Sequence, residues 1–218
     1  MTGVPPAGGP PRRFVLASAS PARLRLLRDA GFDPVVRVSG VDEEAVTAPD
    51  PASLAGVLAR AKAAAVAAAE EDALVLGCDS VLDVDGEAQG KPASPEQAVA
   101  RWGRLAGREA VLVTGHALLD VRAGRVVAER SATDSAVVRF GTPRPEELAA
   151  YVASGEPTRV AGGFTLDGRG GLFVRGIRGS SSTVVGLCLP LLRDLLDDLG
   201  TPAVTLWRAP EGSVGSGG

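Results

Sequence analysis

Apolar runs, helical periodicities and turn residues alternate along the chain, and this pattern predicts a fold of mixed strands and helices. Residues 73–78 form a continuous apolar run of strand length, which is typical of a central strand buried on both faces. Asp85-Gly86 is a typical tight hairpin turn. Strands are predicted on these grounds at residues 13–18, 34–38, 73–78, 110–121 and 125–140, with a short last strand near Val204.

Helix starts are marked where serine or aspartate precedes proline, because the first residue caps the helix and proline fits its first turn. Ser20-Pro21 and Asp50-Pro51 are two such starts. Helices are predicted at residues 21–30, 51–70, 94–105, 145–154 and 184–199. Crossovers and hairpins both occur, and no repeat or linker divides the chain. We therefore predict an α/β (or mixed α+β) fold with a mixed sheet, formed by residues 13–208 as a single domain.

Composition excludes several classes of protein. The formal net charge of −3 and the pI near 5.3 argue against a protein that coats nucleic acid, yet they permit a small anionic substrate bound by a local cluster of cations. The two cysteines lie far apart in apolar runs, and His116 is the single histidine, so neither a disulfide framework nor a zinc site is expected. No segment approaches the roughly 20 apolar residues of a membrane span.

These observations predict a cytoplasmic protein with two buried free thiols. Residues 1–12 are rich in proline and glycine and lack the apolar core of a signal peptide, so we predict a flexible leader there. Residues 209–218 are predicted to be a disordered tail.

Charged residues in apolar or glycine-lined settings indicate where chemistry takes place, because their burial is costly without a partner or a function. Asp79 follows the apolar run 73–78, where the strand is expected to leave the sheet, a common place for ligand-binding residues. A turn aspartate is its plainer interpretation. Lys62 borders the apolar stripe of the helix at 51–70, where it either serves a site or extends from the stripe edge into solvent.

Three further features are compatible with an anionic ligand. Arg23 lies at a predicted helix start behind Ser18 and Ser20, where free backbone N–H groups attract anions, although Ser20 is also a simple cap. Lys91 lies between glycine and proline, in a setting that suits either a held cation or a solvated loop. The acidic run 42–44 is either a solvated loop or, with Asp79, a set of oxygen ligands for a divalent cation. The residues alone predict an enzyme that acts on a phosphorylated ligand, although the chain has neither a Walker-type loop nor a dinucleotide fingerprint.

An ordered series of short segments runs from Phe14 to about Leu199. The segments are Leu16-Ala17-Ser18-Ala19-Ser20-Pro21-Ala22-Arg23, Val41-Asp42-Glu43-Glu44, Leu58-Ala59-Arg60-Ala61-Lys62-Ala63, Gly77-Cys78-Asp79-Ser80, Gly90-Lys91-Pro92, Thr114-Gly115, Gly155-Glu156-Pro157, Ala161-Gly162-Gly163 and Val184-Val185-Gly186-Leu187. In this order they resemble the Maf-like family of nucleotide pyrophosphatases. The resemblance implies an inosine-triphosphatase-like fold, with an extended mixed sheet, flanking helices and two lobes around a cleft. It also implies a homodimer.

The resemblance further implies metal-dependent hydrolysis of a nucleoside triphosphate to the monophosphate and pyrophosphate, with Asp79 accepting the proton of the attacking water. It implies that Glu43 and Asp79 hold the divalent cation, Mg²⁺ or Mn²⁺. The residues that would bind phosphate are Ser18, Ser20, Arg23, Lys62 and Lys91.

Ala22, Ser80 and Asp167 depart from the commoner family patterns at positions associated with the choice of base. The preferred base, and whether modified nucleotides are the substrate, therefore stay open. Two alternatives also stay open: an inosine-triphosphatase-type enzyme that prefers deaminated purines, and a regulatory nucleotide-binding protein that acts on cell division with incidental catalysis.

Overall fold

The computed structural model describes residues 12–208. Except for Arg12, the predicted leader lies outside the described residues, as does the predicted tail at 209–218. Arg12 is held against the sheet, because its guanidinium lies 2.7 Å from the carboxylate of Asp120.

The described residues alternate between strands and helices. The strands are β1 (Phe14–Leu16), β2 (Val35–Val36), β3 (Ala73–Val84), β4 (Glu87–Gln89), β5 (Glu109–Arg122), β6 (Arg125–Phe140) and β7 (Val174–Arg178). The α-helices are α1 (Pro21–Asp29), α2 (Pro51–Ala67), α3 (Pro95–Leu105), α4 (Pro145–Ala153), α5 (Ser181–Val185) and α6 (Leu189–Asp198). Short 3₁₀-helices lie at Pro157–Arg159, Ala161–Gly163, Arg169–Phe173 and Ala203–Leu206.

One seven-stranded sheet joins the strands in the order β2-β1-β3-β5-β6-β7, with β4 also paired to β3. β1 is parallel to β2 and β3, whereas β4, β5, β6 and β7 each pair antiparallel to their neighbours. The predicted fold of an extended mixed sheet with flanking helices is confirmed. Among residues 12–208, no helix is long and apolar enough to cross a membrane.

Several predicted boundaries were wrong. β3 is one continuous strand of 12 residues, so Asp79 lies in its middle instead of at the point where a strand leaves the sheet. The helix predicted at 184–199 is two helices, because Gly186 has a φ of 122° and Pro190 opens the first turn of α6. Val204 lies in a 3₁₀-helix and not in a strand. The glycine-rich passage 162–179 contains β7, which the sequence pattern did not indicate.

On one face of the sheet, the apolar core is divided between the two ends of β3. Leu74 and Leu76 pack in one cluster with Leu27 of α1 and Leu196 of α6. Leu82 belongs to a second cluster, which includes Val84, Trp102, Phe140, Tyr151 and Phe164. On the opposite face, which packs against α2, Val75 and Val81 of β3 belong to two further clusters, so Asp79 lies between packed regions on that face.

Candidate active site

The middle of β3 lacks a strand partner on one of its edges. β1 pairs with residues 74–76 and β4 pairs with residues 82–84, so within the described chain no strand covers residues 77–81 on this side. The opposite edge is fully paired with β5, which opposes Asp79 with Gly115. The uncovered stretch is where the predicted site residues gather.

Asp79, Lys62 and Glu43 form a chain of charges at this edge. The Nζ of Lys62 lies 2.6 Å from an oxygen of Asp79 and 2.7 Å from an oxygen of Glu43. Asp79 and Lys62 are each only 6% exposed, whereas Glu43 is exposed on its loop. The structure therefore brings together three of the predicted residues, from three separate segments of the chain.

The burial of Lys62 follows from the close approach of α2 to the sheet. Side chains alternate between the faces of a strand, so Gly77 and Asp79 face the same side as α2. A Cβ built on Gly77 would lie 2.2 Å from the carbonyl oxygen of Ala59, and one built on Gly115 would lie 2.2 Å from that of Ala55. Because these two glycines carry no side chain, the helix backbone rests on the sheet and its lysine reaches Asp79.

The helix face that does this differs from the predicted one. The stripe expected from the pattern contains Leu54, Val57, Leu58, Ala61 and Ala65, but only Leu58 of these is buried. The part of the helix that meets the two glycines is made of small residues, Ala55, Ala59 and Ala63, because the close approach leaves no room there for larger ones.

The two carboxylates that contact Lys62, those of Asp79 and Glu43, differ in acidity. Burial raises the pKa of Asp79 above its ordinary value, although the charges of Lys62 and Arg23 oppose this shift. Glu43 is less buried, so the hydrogen bond and charge of Lys62 outweigh desolvation and lower the pKa of Glu43. Asp79 is thus the more basic carboxylate and the better proton acceptor of the two.

Arg23 lies on the face of β3 opposite to α2, beside the residues 77–81, which lack a strand partner on one edge. Its guanidinium donates to the hydroxyls of Ser18 and Ser80, each at 3.1 Å, and to the carbonyl of Gly186 at 2.7 Å. Arg23 is 8% exposed and also stabilises the negative charge of Asp79 through space. The predicted phosphate-binding residue Arg23 is therefore part of the site, and three hydrogen bonds hold its guanidinium in one orientation.

Sequence reasoning missed the residues that complete this network. The hydroxyl of Ser80 lies 2.9 Å from that of Thr114, and Thr114 donates to the carbonyl of Thr183 in α5. The pattern does indicate Thr114, since it directly precedes the glycine that α2 contacts. Gly186 belongs to the segment Val184-Val185-Gly186-Leu187 that carries the resemblance, but no role was predicted for it, and Thr183 was not indicated at all.

The turn between β1 and α1 contains the two predicted serines. Ser20 caps α1, since its hydroxyl accepts from the backbone N–H of Arg23 at 3.4 Å. The hydroxyl of Ser18 accepts from the backbone N–H of Ser20 at 3.1 Å, and Ser18 is buried. A capped helix start with a fixed guanidinium behind it is a favourable position for an anion.

The remaining predicted residues lie around this centre. Lys91 is exposed, and its charge contributes to the low pKa of Glu43. Ala22 is half-buried in the first turn of α1. Asp167 is exposed on the glycine-rich passage and forms an ion pair with Arg25 of α1, a residue that sequence reasoning also missed.

A divalent cation is compatible with the carboxylates present. Among the described residues there is no cluster of three or more histidine, cysteine, aspartate or glutamate side chains. However, Glu43 and Asp79 converge on the Lys62 ammonium, whose Nζ lies 2.7 Å from an oxygen of Glu43 and 2.6 Å from an oxygen of Asp79. Two carboxylates suit Mg²⁺, which is commonly bound by one or two carboxylates together with substrate phosphates and water.

The family model and the curated relatives agree on one family. A family model described as Maf-like protein matches residues 13–199. A Streptomyces coelicolor protein named nucleoside triphosphate pyrophosphatase is 62% identical over 204 residues, which cover 93% of this chain and 98% of that protein. A Nocardia farcinica protein of the same name is 59% identical over 90% of this chain and 97% of its own length. A solved dITP/XTP pyrophosphatase from Mycobacterium abscessus is 18% identical and covers 59% of this chain and 72% of its own, with a TM-score of 0.36.

Proposed function

This chain belongs to the Maf-like protein family and is a nucleoside triphosphate pyrophosphatase, a hydrolase acting on acid anhydrides, and we propose that Asp79 is its proton acceptor. The observation that carries this proposal is the chain of Asp79, Lys62 and Glu43 at the uncovered edge of β3. A carboxylate that is 6% exposed, has a raised pKa and touches a lysine is typical of an active-site base.

Asp79 takes a proton from a water molecule, and the oxygen of that water attacks the α-phosphorus. The bond between the α-phosphorus and the bridging oxygen breaks, so that pyrophosphate leaves and a nucleoside monophosphate remains. The raised pKa of Asp79 makes it a stronger base than an exposed aspartate, while Lys62 keeps it ionised before the reaction.

Cations and hydrogen-bond donors stabilise the phosphates during this step. Arg23, Lys62 and Lys91 neutralise the negative charge that develops, and Ser18 and Ser20 donate to phosphate oxygens. The three hydrogen bonds of Arg23 support its role, because a fixed guanidinium needs no reorganisation as charge develops.

Glu43 and Asp79 would hold a divalent cation, Mg²⁺ or Mn²⁺. When bound, such an ion draws charge away from the phosphate oxygens and lowers the pKa of a coordinated water. Lys62 then serves as the group that offsets the repulsion between the two carboxylates.

The choice of base is assigned to Ala22 in the first turn of α1, Ser80 in β3 and Asp167 in the glycine-rich passage. A homodimer, a cytoplasmic location and one Maf-like domain of two lobes over residues 13–208 complete the proposal. The division of the apolar core between the two ends of β3 supports the two lobes.

The proposed function is tested by pyrophosphate release from a panel of canonical and deaminated nucleoside triphosphates, each with Mg²⁺ and with Mn²⁺. We expect metal-dependent formation of monophosphate and pyrophosphate in equal amounts. Release of orthophosphate instead would place the attack at the γ-phosphorus. An absence of hydrolysis in every condition would contradict the proposal.

A further inference from the structure

An ion pair joins α1 to the glycine-rich passage beside the active site. The guanidinium of Arg25 contacts the carboxylate of Asp167, and their side chains are 57% and 30% exposed. α1 follows the strand that ends at the uncovered edge, whereas the passage packs on the second core cluster through Phe164 and Leu166. The pair therefore connects α1, which packs on the first core cluster, to the glycine-rich passage, which packs on the second.

The backbone that presents Asp167 is held by a carboxylate at its base. One oxygen of Glu156 accepts from the hydroxyl of Thr165 at 2.6 Å and from the N–H of Gly170 at 3.0 Å. Its second oxygen accepts from the N–H of Arg169 at 3.2 Å. Asp167 thus stands at the tip of a short loop, residues 165–170, whose two ends are tied to one side chain.

Arg25 also lies close to the phosphate end of the site. It is two residues after Arg23 in the same helix, and Arg23 contacts Ser80, the neighbour of Asp79 in β3. A ligand with its phosphates at the start of α1 would therefore lie beside the helix that presents Arg25.

The pair offers a ligand both kinds of hydrogen-bonding group without net charge. A guanidinium has five N–H donors, and a carboxylate has about four acceptor positions, so an exposed pair keeps both donors and acceptors free. We infer that Arg25 is a specificity-determining residue, which together with Asp167 reads the base of the nucleotide, and that Glu156 positions the loop for this contact. This inference rests on the proposed function and adds the residue that balances Asp167.

Loss of Arg25 changes which base edges the loop 165–170 can bind. Asp167 alone is an acceptor-only carboxylate, which favours an edge with two adjacent donors, such as N1–H and N2–H of guanine. It disfavours the edge of thymine, where a single N–H lies between two carbonyl oxygens. For Arg25→Ala we therefore expect the ratio of kcat/KM for dGTP to that for dTTP to rise about tenfold.

The matched control is Arg28→Ala, which removes an exposed arginine from the same helix three residues further on. We expect this control to leave the ratio unchanged. The double variant Arg25→Ala/Asp167→Asn restores a neutral group with one donor and one acceptor, so its ratio should return to within about threefold of the original.

The outcomes separate this inference from the proposed function. If the unaltered enzyme releases no pyrophosphate, the proposed function fails. If it is active and Arg25→Ala changes kcat/KM equally for all bases, the pair acts as a steric latch and the inference is wrong. The inference is equally overturned if the ratio shifts to the same extent in Arg28→Ala, because net charge alone would then explain it.

Discussion

Asp79 owes its proposed reactivity to two opposing effects on one side chain. Burial raises its pKa, and the neighbouring cations Lys62 and Arg23 limit that rise. A proton acceptor must be deprotonated, so activity falls as the pH drops through the pKa of Asp79. We expect the acidic limb of the kcat/KM profile to lie above the ordinary aspartate value of 3.8.

Asp79→Asn tests this role directly. We expect kcat to fall by about 10²- to 10⁴-fold and the acidic limb to disappear from the residual rate, while nucleotide binding measured by calorimetry persists. Asp85→Asn is the control, because Asp85 lies exposed in the adjacent turn with a φ of 57° that asparagine tolerates. Near-normal turnover in Asp79→Asn would rule out the proposed mechanism.

The buried side chain of His116 makes the stability of the protein depend on pH in the acid range. Its Nε2 accepts from the backbone N–H of Cys188 at 2.8 Å, and burial lowers the pKa of His116 to about 4. The unfolded chain has an ordinary value of about 6.5. Between these values the unfolded state binds more protons than the folded state, so stability decreases as the pH falls from 6.5 to 4.

The expected loss is about 3 kcal/mol over this interval. In His116→Gln the amide oxygen can still accept from Cys188 but does not titrate, so its unfolding free energy should lack this part of the acid loss. Denaturant unfolding at pH 7, 5.5 and 4.5 measures how the unfolding free energy of each of the two proteins depends on pH. Parallel pH dependences in the two proteins would show that His116 is not the titrating group.

At the scale of elements, the contact between α2 and the sheet controls the position of Lys62. We expect Gly115→Ala to destabilise the fold by about 1–3 kcal/mol, because the new methyl group meets the backbone of α2. Displacement of the helix should also lower kcat, since Lys62 moves away from Asp79. Thermal unfolding and turnover measure the two effects.

Gly56→Ala is the matched control for this prediction. Gly56 lies in α2 itself, and an added Cβ would meet its nearest neighbour, Thr133, at an ordinary 3.6 Å. Alanine is the better helix former, so this variant should gain about 0.5–1 kcal/mol and keep its turnover. A similar loss in both variants would mean that the close approach is not what positions Lys62.

Elements with strong local signals were predictable from the sequence, and those shaped by distant contacts were not. The helix predicted at 94–105 is α3, and the strands predicted at 110–121 and 125–140 are β5 and β6, with bounds that differ by at most one residue. The buried face of α2 was misassigned because glycines on other strands decide which side packs. β7 was missed because its pairing with the end of β6 is formed by residues more than 30 positions apart.

The site residues divide in the same way, into those with a local signal in the sequence and those brought in by distant contacts. Asp79 and Lys62 were found because charge in apolar surroundings is visible in the sequence, Arg23 because it follows a helix start, and Glu43 because the acidic run 42–44 resembles a family segment. Arg25 looked like an ordinary surface arginine, and only the folded chain places it against Asp167. Long-range polar contacts of this kind leave no local pattern.

The whole molecule is acidic, and its proposed ligand is an anion, so binding depends on the local arrangement of cations. The net charge is −3, yet Arg23, Lys62 and Lys91 surround one edge of β3. In the proposed binding mode, a nucleotide placed there would contact both sides of the site, from the start of α1 to the loop with Asp167. Its binding free energy should therefore add to the stability of the entire fold.

We expect a triphosphate analogue with a methylene bridge between its α- and β-phosphorus atoms to raise the unfolding free energy by about 2.7 kcal/mol at 100 times its dissociation constant. The bridge resists hydrolysis, so binding is measured without turnover. Pyrophosphate contacts only the phosphate end and cannot join the two sides. In hydrogen exchange it should protect the start of α1 but leave loop 165–170 unprotected, whereas the analogue protects both. Equal protection of the loop by both ligands would mean that the base does not reach Asp167.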